Sequence, residues 1–509
     1  MSEYRDRKWG DLGGLGLRLL CAGWVALAAL GALIVPAQAK VTGTTCAPMP
    51  PFAAPHERFG VNVIRDYGKA ARDYDMLQTR TGWYLDYATT GATRQPVTYV
   101  RVLRIGDLAT SNWRSIVEDA LTGQRGALWF IGNETDRYSQ DGMPADEYAR
   151  IYHRTYTYIK ELDPTAAVGN AAIIQATPIR LRYLDAFVRA YVDLYGNRPP
   201  VDYWNIHNFV LREELNSWGA SIPPGQEAYA GEGKLYEVWQ HGDIEIFKSH
   251  IFAFRQWMAA NGYRNVPLTV SEYGILMPPD YWAAADGSRV YDYSFVRDFM
   301  LASFDFFLTA TDPATGYPQD GNRLVQSWAW FSLNDRIFDQ ATQRGSNGNL
   351  LDHDTGALMA LGQDLANYLA PLYSDYRDLA VRQITVTPPE VADGQTPGTI
   401  EVEVWAQNRG NLAASNTKVQ VWWERGSQGR VLVGERTLKS IAARCNQMAV
   451  VKFSWQPGSL PPGGVTLTAE VTVGAGESDL LADNNRAQIR FLAGPLNIVS
   501  TVYLPALFQ

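Results

Sequence analysis

Short apolar runs alternating with stretches of helical spacing set the pattern of the chain as far as residue 369. Residues 58–63, 82–87, 98–105, 127–131, 166–171, 201–207, 266–270 and 324–331 are each a run of strand length, rich in Val, Ile, Leu and aromatic residues. Runs without polar alternation read as strands buried on both faces, as parallel sheets require. Between them, residues 69–77, 113–121, 148–162, 182–195, 244–260, 295–309 and 361–369 carry helical spacing, and Asp163-Pro164 and Gly196 supply stop signals. Eight strands alternating with helices predict a (β/α)₈ TIM barrel over residues 50–375, with long loops after the sixth and seventh strands (211–240 and 276–289).

From Asp378 onward the helices stop. Strand-like runs at 380–387, 399–405, 418–423, 431–438, 448–455, 465–473 and 486–492 are separated by turns such as Asn408-Arg409-Gly410-Asn411 and Pro461-Pro462-Gly463-Gly464. Seven short strands with regular turn signals predict an all-β immunoglobulin-like sandwich over 379–493. An apolar tail, 494–509, follows, too short to span a bilayer.

Residues 1–39 are read as a processing segment. Arg5, Arg7, Lys8 and Arg18 precede an apolar stretch that ends in Ala37-Gln38-Ala39, the order of a secretory signal peptide. The length of the apolar stretch also fits an uncleaved anchor. A secreted or cell-surface location is expected. Of three cysteines, Cys21 falls in this segment; Cys46 and Cys445 remain, either as one disulfide or as two free thiols. A net charge of −8 without long runs gives no footprint for nucleic acid. Three cysteines and six histidines offer no zinc spacing, and no metal or other cofactor is expected.

The candidate chemistry sits at two strand ends. The fourth strand runs into Gly132-Asn133-Glu134, and the seventh into Ser271-Glu272-Tyr273-Gly274. The C-terminal rim of a barrel is where its chemistry is placed. Two carboxyl groups meeting there across about 5–5.5 Å would suit a proton donor and a nucleophile at one glycosidic bond. Asp136 and Arg137 read most simply as a surface pair, and Asp352-His353-Asp354 as a surface turn.

Taken together, Trp129-Phe130-Ile131-Gly132-Asn133-Glu134 and Val270-Ser271-Glu272-Tyr273-Gly274 resemble the clan A (GH-A) glycoside hydrolases. The resemblance implies that Glu134 is the acid/base, Glu272 the nucleophile and Asn133 the partner of the sugar 2-hydroxyl. It implies that His207 touches the catalytic carboxylates and that Trp328 or Trp330 floors the sugar subsite; alternation puts these two tryptophans on one face and Ala329 on the other. Tyr273, aromatic and hydroxylated beside Glu272, is expected from its own chemistry to orient the nucleophile. The expected activity is hydrolysis of β-glycosidic bonds in a poly- or oligosaccharide by double displacement, without a cofactor. A catalytically silent barrel that binds carbohydrate at a cell surface is the alternative. One departure stands out: the arginine that many members carry on the second strand is missing, Arg101 and Arg104 lying on the third. Asp86 and Tyr87 are then rim residues available to substrate. The sandwich resembles the CARDB family through Asn408-Arg409-Gly410-Asn411 and Asp483-Asn484-Asn485, which leaves contact with a polysaccharide or cell surface open.

Overall fold

A computed structural model of the chain describes residues 52–493, apart from 67, 94, 123–124, 340, 343, 392–397 and 462–463, together with 37–40, 46 and 48. Nearly all of the expected signal segment and all of the C-terminal tail lie outside the described residues.

Eight parallel strands form one sheet: β1 (Phe59–Asn62), β2 (Trp83–Leu85), β3 (Thr98–Leu103), β4 (Leu128–Ile131), β5 (Ala167–Asn170), β6 (Trp204–His207), β7 (Leu268–Tyr273) and β8 (Ser327–Trp330). Their order is β5-β4-β3-β2-β1-β8-β7-β6. The ring closes between β5 and β6 through the bridges Gly169–Tyr203 and Ile173–Ile206. Asn170 reinforces the seam, donating from Nδ2 to Asn205 O (3.1 Å) and accepting from Asn205 N (2.8 Å). Both faces are covered, which is why the strands read as unbroken apolar runs. Inside stand Trp83, Leu85, Val100, Val102, Leu128, Phe130, Tyr203 and Ala329. The Trp83 indole crosses to β1, where a Cβ on Gly60 would come within 2.4 Å of it, so that position has no room for a side chain.

The outer layer holds α1 (Trp113–Leu121), α2 (Ala145–Leu162), α3 (Pro178–Tyr195), α4 (Ile244–Ala260), α5 (Tyr293–Thr309) and α6 (Ala360–Leu369). Pro178 opens α3 and the expected Gly196 closes it at φ 76°, while Asp243 and Asp292 cap α4 and α5. The helix expected over 69–77 is absent. Two 3₁₀ turns, Ala71–Asp73 and Met76–Thr79, take its place. The Asp73 carboxylate accepts the Ala70 amide and that of Asp75 the Leu77 amide, bonds that compete with a helical ladder. No α-helix of the described residues follows β1 or β2. Among the described residues no helix is long and apolar enough to cross a membrane.

The second half is a two-sheet sandwich. Strands β9 (Leu379–Thr387), β11 (Ile400–Asn408) and β14 (Ala449–Trp455) pair with a short N-terminal strand, Ala37–Lys40, on the free edge of β9. The facing sheet has the order β10-β16-β15-β12-β13, formed by β10 (Glu390–Val391), β12 (Ala414–Glu424), β13 (Arg430–Ile441), β15 (Val465–Thr472) and β16 (Arg486–Ala493). Alternate residues, among them Val402, Val404, Val419, Val421, Val451, Leu467 and Ile489, fill the space between the sheets. Trp455 belongs to that core and meets Trp423 edge-on.

Cys46 and Cys445 form a disulfide. Around it the sandwich binds the N-terminal end of the barrel. Buried Arg444 pairs with Glu57, just ahead of β1, and donates to Tyr376 Oη (2.8 Å) and to Pro96 O (3.3 Å), just ahead of β3. Asn446 donates to Gln95 O (2.9 Å) and Arg382 to Thr165 Oγ1 (3.1 Å). Arg125 stacks over Trp405 at 4.1 Å.

Candidate active site

The site is built where β4, β6 and β7 end. After Ile131 the chain must turn sharply so that Glu134 points to the barrel axis. Gly132 makes that turn at φ 90°, and a Cβ there would press on Ala171, Ile105 and Thr135 at 3.1–3.2 Å. Asp141 holds the segment: its Oδ2 accepts the Asn133 amide (2.9 Å) and the Ile105 amide (3.1 Å), and Arg104 pairs with it. Glu134 itself sits at φ 50°, a left-handed conformation rarely taken by a residue with a side chain. Tyr87, just past β2, does the same at φ 58°. Strained backbone of this kind persists only where the surroundings impose it, and it gathers at working sites.

His207 stands between the two carboxylates. Its Nδ1 lies 2.9 Å from Glu134 Oε1 and its Nε2 3.7 Å from Glu272 Oε2. Arg137 donates to Glu134 Oε2 at 3.2 Å. The Tyr87 hydroxyl bonds Glu272 Oε2 and stands 2.8 Å from Asn62 Oδ1, while Asn62 Nδ2 donates to Ser271 O at 3.1 Å. Oxygens of Glu134 and Glu272 lie within 4.8 Å of each other. The Glu134 side chain is 3% exposed and that of Glu272 12%, so solvent enters over Glu272.

These contacts divide the charge. Burial pushes the Glu134 carboxyl up, but the hydrogen bonds and charges of His207 and Arg137 outweigh it and hold the group below its ordinary range. Burial raises Glu272, with the Glu134 charge adding to the rise and His207 and Tyr87 opposing it. Burial alone would neutralise His207, yet Glu272 and Glu134 raise it above its ordinary value. The same contacts favour the charged imidazole of His207 and the carboxylate form of Glu134. Among the described residues these three are the group whose donor atoms converge closely enough for a metal ion. Each imidazole nitrogen, however, faces a different carboxylate, which suits a shared proton better than a common cation.

The structure brings Glu134, Glu272 and His207 together and leaves Tyr273, Trp328 and Trp330 outside. Asn133 is on the rim with no hydrogen bond to its carboxamide among the described residues. Tyr273 points outward: it receives a bond from Ser303 and packs edge-on against Phe307 and Trp330 in the barrel–helix layer. Trp328 and Trp330 are also outward, 0% and 1% exposed, against Phe59, Phe307 and Tyr273. Trp330 donates its indole N–H to Gly348 O at 2.7 Å. The small Ala329 is the inward residue of β8, so neither indole floors a sugar subsite. Half-buried Phe331, one residue on, reaches the rim and joins Trp218, Leu276 and Met277 along an apolar wall built on Ile174, Phe209, Leu211 and Ala220.

Asp136 and Arg137 are no surface pair. Asp136 is fully buried against Arg180, and Arg137 divides its guanidinium between Glu134 and Gly219 O. Asp352 closes a turn by accepting from Thr355 N and Oγ1. Tyr87, expected only as a rim residue available to substrate, is bonded to Glu272. Asn62, Phe331 and Arg180 carried no signal in the sequence.

No family model matches the chain, and a search of curated proteins finds no match. Solved structures do align with it. An endo-β-1,3-glucanase of family GH128 from Sorangium cellulosum is 18% identical, covering 62% of this chain and 100% of its own, with a TM-score of 0.40. A CARDB domain from Pyrococcus furiosus, in complex with di-metal ions, is 24% identical over 24% of this chain and 98% of its own, with a TM-score of 0.20. An FMN-binding β-glucuronidase from Faecalibacterium prausnitzii is 14% identical over 90% of this chain and 59% of its own, with a TM-score of 0.38.

Proposed function

We propose that the chain is an exported, retaining glycoside hydrolase of clan A type that cleaves β-linked poly- or oligosaccharide. The observation that carries this reading is the approach of an oxygen of buried Glu134 to within 4.8 Å of one of partly buried Glu272 at the C-terminal end of a barrel. Retaining enzymes hold their carboxyl groups about 5–5.5 Å apart, whereas inverting enzymes leave room for a water at about 6.5–9.5 Å.

Glu272 attacks the anomeric carbon as the glycosidic bond breaks, and the departing oxygen takes a proton from Glu134. His207, whose hold on a proton both carboxylates strengthen, is placed to supply it. Moving it along the 2.9 Å hydrogen bond to Glu134 leaves a neutral imidazole, a protonated acid and an ionised nucleophile, with no net uptake or release. In the second half, Glu134 takes a proton from water, which opens the glycosyl ester and restores Glu272. The Cys46–Cys445 disulfide supports work in an oxidising compartment outside the cytosol.

The test is a pair of variants and a product analysis. Glu272→Gln abolishes turnover, and Glu134→Ala regains part of its rate with azide on a glycoside whose leaving group needs no proton. The first product has the anomeric configuration of the substrate by NMR. Rates unchanged in both variants, or an inverted product, overturn the assignment. The substrate panel begins with β-1,3-glucans, named for the Sorangium enzyme above, and extends to mannans, xylans and galactosides.

A further inference from the structure

Arg180, in the first turn of α3, has a side chain 0% exposed, between two carboxylates that are also 0% exposed, those of Asp136 and Glu213. All five of its N–H groups are engaged. Nε donates to Glu213 Oε1 (2.7 Å); Nη1 donates to Asp136 Oδ2 and to Asp136 O (3.0 Å); Nη2 donates to Ala220 O (2.9 Å) and Ser221 O (2.7 Å). Its partners are tied down in turn. Asp136 Oδ2 also accepts the Ile174 amide (3.2 Å), and Glu213 accepts from Gln175, Thr177 and the Lys234 amide (2.9, 2.6 and 2.9 Å).

Two loops are joined through this one guanidinium. One carries Glu134, two residues before Asp136; the other is the long segment after β6, which contains Glu213, Gly219, Ala220 and Ser221. Arg137, the cation on Glu134, rests on the same segment through Gly219 O (3.3 Å). Buried ion pairs add little net stability over apolar packing of the same volume. What a fully satisfied planar fork provides is geometry, and Glu134 requires it, because its left-handed backbone is held there only by its surroundings.

We propose that Arg180 is a positioning residue for proton transfer: by locking the Asp136 turn to the loop after β6, it fixes the direction of Glu134 and the seat of Arg137. The inference rests on the hydrolase reading given above. It predicts a selective defect. Displacement of the acid hinders only substrates whose leaving oxygen needs a proton, while attack by Glu272, on another strand, is spared.

The experiment compares Arg180→Lys with wild type on two glycosides of the same sugar, one unactivated and one with a 2,4-dinitrophenyl leaving group. Lysine keeps the charge and loses the fork. The expected result is a loss on the order of 10²-fold in kcat/KM on the unactivated glycoside, the scale of a 1 Å misplacement. The dinitrophenyl glycoside, which departs without a general acid, stays within ~threefold. Asp136→Asn, which keeps shape and removes the tied charge, shows the same split should the lysine variant fold poorly. An equal loss on both substrates, or a change in KM alone, overturns the proposal and leaves the hydrolase reading standing. Failure of that reading shows separately, as wild-type rates in the Glu134 and Glu272 variants.

Discussion

Replacing Tyr87 by Phe removes one oxygen from the site and little else. That oxygen donates to Glu272 Oε2; without it, the nearest protein donor to the same atom is His207 Nε2 at 3.7 Å. A hydrogen bond to a charged group contributes about 1.5–3 kcal/mol, which corresponds to roughly 10- to 100-fold at ~1.4 kcal/mol per decade. The phenol stabilises the ionised carboxylate and does nothing comparable for the protonated one, and its own proton is held firmly by burial and by Glu272. The loss therefore falls where Glu272 must be kept ionised, on the acid limb of the rate profile. Rates on a dinitrophenyl glycoside, which isolates the nucleophile from the acid, should drop by about 10- to 100-fold on that limb. The plateau at higher pH should change far less. Circular dichroism on the same samples confirms an intact fold. An unmoved limb, or limb and plateau falling by one common factor, would refute the reasoning and reduce Tyr87 to a packing residue.

Three further outcomes follow from the same geometry. Wild-type kcat/KM should be bell-shaped. Its acid limb lies above the ordinary glutamate value of 4.5, because Glu272 is raised and must be ionised to attack. Its alkaline limb lies above 6.5, where the proton shared by His207 and Glu134 is lost; an acid limb below 4.5 contradicts this. Trp330→Ala should cost about 3–5 kcal/mol in urea unfolding, as for a large aromatic removed from a core, and leave KM unchanged; a raised KM without destabilisation would return the indole to the sugar site. Arg444→Met takes the cation from half-buried Glu57, which keeps the Ala53 amide, and should destabilise by less than the ~3–5 kcal/mol of a fully buried pair, splitting the calorimetric transition in two while activity at room temperature persists.

Both architectures were legible because their periodicities differ. Runs such as 127–131 and 266–270 admit only doubly buried strands, and the alternation in residues such as Val402 and Val404 marks a sandwich face. The missing first helix was not legible, since Asp73 and Asp75 look like ordinary surface residues until their carboxylates are seen on backbone amides. In the site, the two glutamates came from strand ends, and His207 from the resemblance to the clan A glycoside hydrolases. Trp328 and Trp330 show the limit of that logic: alternation says that two residues share a face, and only packing says which face is inward. Arg180 and Asp136 were illegible because a buried ion pair between distant loops leaves no local pattern.

The sandwich grips the barrel at its floor, through Arg444, Asn446 and the Cys46–Cys445 link, while the carboxylates open at the opposite end. Among the described residues the contacts of Arg444, Asn446 and Arg382 with the barrel lie at that floor, away from Glu134 and Glu272. In a molecule held by its β-domain, the ends of β4, β6 and β7 would face away from the point of attachment.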